Sequence, residues 1–586
     1  MIGLVTVTAG GRAAAARLAA AWPGETRAYD GPAATALPAA FKDAGAVVAF
    51  LAIGATVRLL APLLGSKHGD AGVVCVDETL RFAVPVVGAH AGGANDLAHR
   101  VAAVLGAEPV ITTASDAAGA VALDAFGADL GFVVEPGSDL AAVGTAILSG
   151  QRVTLTADLT WPLPPLPPNV VTTSQPEPGV PAIVVSDRRT PARPAPTVVY
   201  RPPSLVAGLG ASRGVPAAEI SALIDQALGT ADLSPRSVRA AATADLKQDE
   251  AGLLAAVRER GWPLMTFPAT DLAHVPVPNP SETVRTAVGT PSVAEAAALL
   301  AASTTSAASP ASRANLAVTK QATAHATVAI ARATPKGRLA IVGIGPGARD
   351  LLTPRAVAEL RRARVVVGLD QYLDQVKDLL RPGTTIRSSG LGQEQERAAA
   401  AVAEAAAGHA VALIGSGDAG IYAMGSPALE TLGTLETTGA AIDVVGVPGV
   451  TAALAAAAVL GAPLGHDHAM ISLSDLHTPW QVIERRVTAA AHADLVVCFY
   501  NPASRERDWQ LRQALAILAA QRPPATPVGW VRDATRDGQS AGTATLAEFD
   551  PAQVDMRTLV IVGSSRTRLV NGRMVTPRDY RWAGTP

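Results

Sequence analysis

The stretch LAIVGIGPGARDLLTPRAVAELRRA (339–363) constrains the chain more than any other. An apolar run long enough for one strand leads directly into Gly343, Gly345, Pro346 and Gly347. The next helical signal waits until Thr353-Pro354, a capping threonine followed by proline at the first helical position. A dinucleotide-binding turn needs its last glycine to open the helix, so that the pyrophosphate meets free N–H groups. Here the helix starts too late for that. The glycines are expected to build a tight loop beside a ligand.

Three further strand ends follow the same logic. AVALIGSGDAGIYAMGS (410–426) puts Ser416, Gly417 and Asp418 just past a strand, where glycine lets a ligand touch the backbone. IDVVGVPGVTAALAAAA (442–458) ends its strand at Pro448-Gly449 and caps a helix with Thr451, and the alanines that follow leave space for a bulky flat partner. DLVVCFYNPASRERDW (494–509) ends its strand at Tyr500-Asn501-Pro502. In open parallel sheets ligands sit outside the carboxyl ends of the strands, so these loops should converge on one crevice. One Gly-rich turn is ordinary punctuation; four between 337 and 586 form a pattern.

The remainder reads as further α/β units. Over 1–125, strands IGLVTV (2–7), AVVAFLA (46–52), GVVCVD (72–77) and PVITTA (109–114) alternate with helical runs such as 12–22 and 95–106, which predicts a parallel sheet covered by helices. Residues 126–203 are Pro-dense and read as a connector or a small edge-rich module. A second α/β domain spans 204–300. Residues 301–336, with the Ser/Thr/Ala-rich LLAASTTSAASPASRANLAV, read as a tail and protease-sensitive linker. The stretches 337–448 and 449–586 then make two subdomains.

Composition excludes several classes. Lys+Arg 48 against Asp+Glu 50 gives −2, which argues against a chain-wide nucleic-acid footprint. Mean hydropathy of +0.27 raises the membrane question. The longest apolar runs, 45–57 and 451–465, fall short of the ~20 residues a spanning helix needs. MIGLVTVTAGGR has no basic segment ahead of an apolar core, so no signal peptide and no membrane partner are expected. Cys75 and Cys498 make neither a disulfide framework nor a metal-ligand spacing, so no metal is expected and a cytoplasmic location fits.

The segments GIGPGARDLLT (343–353), SGDAGIYAMGSP (416–427), GVPGVTAALAAAAVLGAPLGHDHAMISLSDLHTPW (446–480) and FYNPASRERDWQL (499–511), in this order, resemble the tetrapyrrole methylases over about 337–586. SLSDLHTPW and FYNP are most similar to the ring-contracting precorrin-3B C(17)-methyltransferase branch, in cobalamin biosynthesis. The resemblance implies S-adenosyl-L-methionine as cofactor, touching Pro346, Ser416, Gly417, Asp418, Ile421, Thr451, Ala452 and Asn501, largely through backbone atoms. It also implies an anionic tetrapyrrole substrate and a homodimer through the methylase half. The rival is a nicotinamide oxidoreductase.

Methyl transfer from a sulfonium is mainly a matter of positioning. Ring contraction also moves protons at a hydroxyl and a lactone, for which Asp467, His468, Ser472, Asp475 and His477 are candidates. Against this, His466 and His468 also suit the flank of a strand, and Asp475 the cap of the next helix. Arg485/Arg486, Arg505/Arg507, Arg532/Arg536 and Arg566/Arg568 offer fork-shaped donors to propionate and acetate groups, and a minority should touch substrate.

IGATVRLLAPLLGSKHGDAGVVCVDE (53–78), VVGAHAGGANDLAHRVAAVLGAEPVITTASD (86–116), GLGASRGVPAAEI (208–220) and ATADLKQDEAGLLA (242–255) resemble the cobalt-precorrin-5A hydrolases over about 1–333. HAGGAN (90–95) follows that family's GHxGGAN pattern with Ala89 in place of glycine. This resemblance implies His90 as acid/base for lactone opening, with Asp77, Glu78, Lys247 and Glu250 as further candidates, or a non-catalytic corrinoid carrier. The expected fold class is α/β: two N-terminal α/β domains of the hydrolase type, then a two-domain methylase with one parallel and one mixed sheet.

Overall fold

The computed structural model describes residues 1–65, 69–90, 92–113, 122–189, 195–303, 314–435, 442–504 and 507–578. It divides into two compact units: 1–160 with 164–335 and 381–383, and 161–163 with 336–380 and 384–586.

The first unit opens with a six-stranded sheet. In spatial order its strands are Thr26–Tyr29, Ile2–Thr6, Ala46–Phe50, Gly72–Val76, Phe82–Val87 and Glu108–Pro109. Val47, Val48 and Ala49 are fully buried, the near-continuous apolar run of a strand covered on both faces. One part of the parallel-sheet expectation is corrected: Phe82–Val87 runs antiparallel to Gly72–Val76. The link between them is a turn too short for a crossover helix. Asp77 holds it by accepting N–H bonds from Thr79 (3.1 Å) and Phe82 (2.6 Å). PVITTA supplies only its first residue to the sheet, in Glu108–Pro109.

The Pro-dense middle region is a domain in its own right, not a connector. Val133–Val134, Thr197–Arg201, Ala182–Val185, Val153–Ala157 and Val170–Thr172 form a five-stranded mixed sheet in that order. Its β-branched runs make the strands, and the prolines of WPLPPLPPN lie in the irregular link before Val170, where no ladder hydrogen bond is lost.

The third sheet corrects the linker expectation for 301–336. Its order is Leu264–Phe267, Val238–Ala244, Leu205–Ala211, Ala326–Ala333 and Ala314–Ala322. The last two strands form an antiparallel hairpin, and Val328, Ala329, Ile330 and Ala331 are fully buried beside Leu205–Ala211. Alanine-rich composition hid this strand pair from a propensity reading. The Ser/Thr/Ala-rich core of the expected linker, 304–313, lies outside the described residues. Asp187, whose side chain is 2% exposed, ties the middle sheet to this one. It accepts two bonds from Arg332 (2.7 and 2.8 Å) and one from Ser204 (2.7 Å).

The second unit has the expected parallel and mixed sheets. Thr385–Ser389, Val365–Leu369, Ala410–Gly415, Gly337–Gly343 and Ile442–Val447 are all parallel, in that order. His468–Ser472, Val496–Tyr500, Thr558–Val562, Pro527–Arg532 and Ser540–Thr545 form the mixed sheet. No helix among the described residues is long and apolar enough to cross a membrane.

Asp187→Ala should leave the Arg332 guanidinium and the Ser204 hydroxyl without their buried acceptor. The expected cost is about 3 kcal/mol in the denaturant unfolding of the first unit. An unchanged transition would show that solvent reaches this pair.

Candidate functional site

In the parallel sheet, strand Gly337–Gly343 lies between Ala410–Gly415 and Ile442–Val447, so three carboxyl ends stand side by side. The loops beyond them touch backbone to backbone. Gly345 N–H donates to the Gly417 carbonyl (3.0 Å) and Gly417 N–H to the Gly345 carbonyl (2.8 Å). A Cβ on Gly343 would lie 2.7 Å from Gly417 O and 2.8 Å from Gly449 N, and one on Gly449 would collide with the same Gly417 carbonyl. Gly417 also sits at φ +65°, a conformation side chains disfavour. These glycines serve one another first, a use the sequence reading had assigned to a ligand.

The Asp418 carboxylate completes the junction, accepting from Gly420 N–H (2.8 Å) and Gly449 N–H (3.0 Å). Each of its two oxygens thus holds one loop in place. Pro346 is buried, and its carbonyl accepts from Arg536 Nε (2.6 Å); Ser416 Oγ accepts from Arg536 Nη2 (3.0 Å). Ile421 is half-buried beside them. Helix Pro354–Arg362 begins where the sequence indicates, with Thr353 Oγ1 accepting from Ala356 N–H (3.2 Å).

Thr451 corrects its expectation in part. It occupies the cap position of helix Ala452–Leu460 and is buried, yet its hydroxyl makes no capping bond. Tyr500 does that work: its hydroxyl accepts from Ala453 N–H (3.1 Å) and lies 2.6 Å from Thr451 Oγ1. The following alanines are not open space either. Ala453, Ala456 and Ala457 pack on Val496, Cys498, Leu559 and Ile561, small side chains that let the helix sit close on the mixed sheet. Ala452 is half-buried at the start of this helix.

The Tyr500 ring lies 5.1 Å from that of Tyr422, a non-glycine residue at φ +51° whose hydroxyl donates to the Met470 carbonyl (2.7 Å). Burial, ahead of any neighbouring group, pushes both phenols up from their ordinary pKa. The sequence analysis gave neither phenol a role. Their only cue was a tyrosine directly after each strand-end turn or strand.

Two further loops meet beside this pair. Asn501, at φ +49°, donates from Nδ2 to Ser472 Oγ (3.1 Å), which also accepts from Ser474 N–H (3.3 Å). Arg507 donates to the carbonyls of Leu473 (3.0 Å) and Asn501 (3.2 Å) and lies 3.9 Å from Asp475. Asp475 accepts from Gln510 Nε2 (2.9 Å) and caps nothing, because helix Trp480–His492 starts after Pro479. Ser472, Asp475 and Asn501 are thus brought together.

Asp467 is not among them. It precedes strand His468–Ser472 and so stands about 16 Å from Ser472, at the strand's far end. Its side chain is 81% exposed and 3.4 Å from His466 Nδ1, and His468 is exposed at the start of that strand. His477 sits in an exposed part of the 473–479 loop.

In the first unit, His90 follows strand Phe82–Val87, and its carbonyl accepts from Gly93 N–H (2.9 Å). This turn wraps the start of Gly72–Val76, where a Cβ on Gly72 would collide with Gly92 O. Asp77 and Glu78 leave the other end of that five-residue strand, about 16 Å away, so they do not join His90. Glu78 accepts from Thr8 (3.0 Å). Lys247 and Glu250 belong to the third-sheet domain, where the buried Glu250 lies 3.9 Å from Lys247 and accepts from Gly214 N–H (3.3 Å).

Residues 338–550 match the Tetrapyrrole (Corrin/Porphyrin) Methylases. Residues 35–116, 121–202 and 205–331 match the cobalamin synthesis G N-terminal, cobalamin biosynthesis central and cobalamin synthesis G C-terminal families. A probable cobalt-factor III C(17)-methyltransferase of Salmonella typhimurium is 46% identical over 41% of this chain and 99% of its own length. A precorrin-3B C(17)-methyltransferase of a Sinorhizobium species is 40% identical over 42% of this chain and 98% of its own. A cobalt-factor III methyltransferase of Priestia megaterium is 41% identical over 42% of this chain and 46% of its own length. A crystal structure of the methyltransferase CobJ shares 37% identity over 41% of this chain and all of that one, with a TM-score of 0.39.

Gly449→Ala should cost the second unit about 3 kcal/mol in denaturant unfolding, because its methyl overlaps the Gly417 carbonyl. Gly446→Ala is the control, with open space around the added methyl. Equal stability of the two variants would mean that the loops can part freely.

Proposed function

Since the chain belongs to the tetrapyrrole (corrin/porphyrin) methylase family, we propose that its second unit transfers a methyl group from S-adenosyl-L-methionine to C(17) of a precorrin-3B-type ring in cobalamin biosynthesis. The observation that carries this is the meeting of three strand-end loops through their main chains, with the next helix displaced to Pro354.

The crevice fits such a donor by its chemistry. It offers main-chain groups at Ser416, Asp418, Thr451 and Ala452, the second lone pair of the Pro346 and Gly417 carbonyls, apolar contact at Ile421, the amide-bearing Asn501, and two aromatic rings. The helix that follows its Gly343–Gly347 turn starts only at Pro354, too late to receive a pyrophosphate as a dinucleotide-binding turn does. These eight residues would hold the cofactor, which when bound supplies an electrophilic methyl on a sulfonium. Tyr422 and Tyr500 are neutral at neutral pH, as tyrosines ordinarily are, and burial raises their pKa further, so their rings present neutral π faces to a cation. Ser472 already accepts two hydrogen bonds, which leaves its own O–H to donate to an oxygen of the macrocycle. Asp475, oriented by Gln510, is the carboxylate of the same loop and the base for ring contraction. The substrate is an anionic tetrapyrrole, and the second unit is the surface through which two copies associate in the cytoplasm.

The first unit opens a lactone on a later corrin intermediate, with His90 as acid/base in the turn that wraps strand Gly72–Val76. Its match to three cobalamin synthesis G families supports this reading.

Calorimetry should show S-adenosylhomocysteine binding and no NADH binding, and Gly417→Arg should abolish the former by filling the loop junction. NADH binding, or an unaffected variant, would sink the methylase reading.

His90→Ala should stop lactone opening while methyl transfer continues. Normal hydrolysis by that variant would leave His90 as a turn residue, and loss of both activities in a folded variant would mean that the two reactions share one site.

A further inference from the structure

Eight arginines could face a polycarboxylate ring, and the structure sorts them. Arg532 is neutralised by Asp555 (2.9 Å), with Asp533 at 3.8 Å. Arg507 is spent on two carbonyls and lies near Asp475. Arg485, Arg486, Arg566 and Arg568 are exposed, and Arg505 lies outside the described residues.

Arg536 differs from all of them. It is half-buried and bound on one edge only, by Nε to the Pro346 carbonyl and Nη2 to Ser416 Oγ. Both partners are neutral, and no carboxylate pairs with it among the described residues. Of the two acids in its own loop, Asp533 is buried and taken by Arg557 (2.6 Å), and Asp537 is exposed and forms no ion pair with it among the described residues.

The surroundings are shaped to hold this side chain. Gly347 stands at φ +147°, and a Cβ there would lie 2.8 Å from Arg536 Nε. Asp533 (φ +50°) and Thr535 (φ +67°) are non-glycine residues in the left-handed region, flanking the turn that delivers Arg536. Two such conformations in one short loop cost energy that must be recovered elsewhere. Thr535 Oγ1 accepts from Ala348 N–H (3.2 Å), so the loop is tied to the same segment from a second point.

A guanidinium drawn partly out of water onto neutral acceptors is an uncompensated charge. With no acceptor on Nη1 among the described residues, the fork is already oriented for a carboxylate on its open side. We propose that Arg536 is a carboxylate-binding site at the Pro346–Ser416 lip of the crevice. Its ligand is a carboxylate of one of the two reactants, either the amino-acid end of the methyl donor or an acetate or propionate arm of the macrocycle. This rests on the methylase reading and adds to it the residue that takes the anionic group.

The test compares the full-length protein with R536Q, using S-adenosylhomocysteine and its decarboxylated analogue in calorimetry, and the macrocycle in steady-state kinetics. A donor carboxylate predicts a loss of about 10- to 100-fold in S-adenosylhomocysteine affinity, with the decarboxylated analogue unaffected. A macrocycle carboxylate predicts unchanged S-adenosylhomocysteine binding and a rise of similar size in macrocycle KM with kcat largely kept. Equal losses for both nucleosides, or no change in any of the three, would overturn the proposal and leave Arg536 as a brace between loops. R536K, which keeps the charge and loses the fork, should fall between wild type and R536Q and serves if R536Q does not fold. Wild-type protein that binds no S-adenosylhomocysteine would overturn the methylase reading itself, a result distinct from either pattern.

Discussion

Two main chains can come within hydrogen-bonding distance at a loop crossing only where no side chain stands between them. Gly343, Gly417 and Gly449 meet that condition at the ends of three neighbouring strands. The rest of the second unit's site depends on it. Because Gly345 and Gly417 exchange N–H···O bonds, the loop after Gly337–Gly343 takes its position from the loop after Ala410–Gly415. Because Asp418 accepts from Gly449 N–H, the loop after Ile442–Val447 is held to the same point. The junction itself is built of peptide groups, neutral and without nucleophiles. Such a surface can orient a reactive small molecule without reacting with it.

Side chains from both sheets then close the assembly. Tyr422 reaches to Met470, Tyr500 to Thr451 and Ala453, and Arg536 to Pro346 and Ser416. Each is a polar group anchored on one sheet's loops and bonded to those of the other. These bonds tie the two sheets together around the glycine junction. In the first unit, Asp187 plays the comparable part, joining the middle and third sheets through Arg332 and Ser204.

Much of this was legible before any coordinates. The late helix start at Thr353-Pro354 was readable because capping and proline chemistry are local, and the meeting of three of the four strand-end loops followed from sheet topology, whereas the fourth, after Val496–Tyr500, belongs to the mixed sheet. The losses were of two kinds. Alanine-rich strands such as Ala326–Ala333 carry little intrinsic preference, and only their burial beside Leu205–Ala211 makes them strands. Side-chain duties set by distant partners were also hidden: Asp475 could be read as a base or a cap until Gln510 claimed it, and nothing local set Asp467 apart from Ser472, which lies at the other end of the strand between them. Asp418 was named correctly as part of the loop, but its partner Gly449 lies 31 residues away, beyond any local rule.

The Tyr500 hydroxyl carries a consequence for how the second unit is made. Helix Ala452–Leu460 is nine residues long, too short to persist alone in water, and the group that satisfies its first turn arrives 47 residues later. The helix therefore gains its start only after strand Val496–Tyr500 has docked, a closure over a long sequence separation and so a slow one. Thr451 and Ala452, which sit at that start, acquire their positions at the same moment. During synthesis, a ribosome that has not yet released Tyr500 carries a chain whose crevice lacks one wall. Competence to hold a small molecule there is thus among the last properties this unit acquires as it folds.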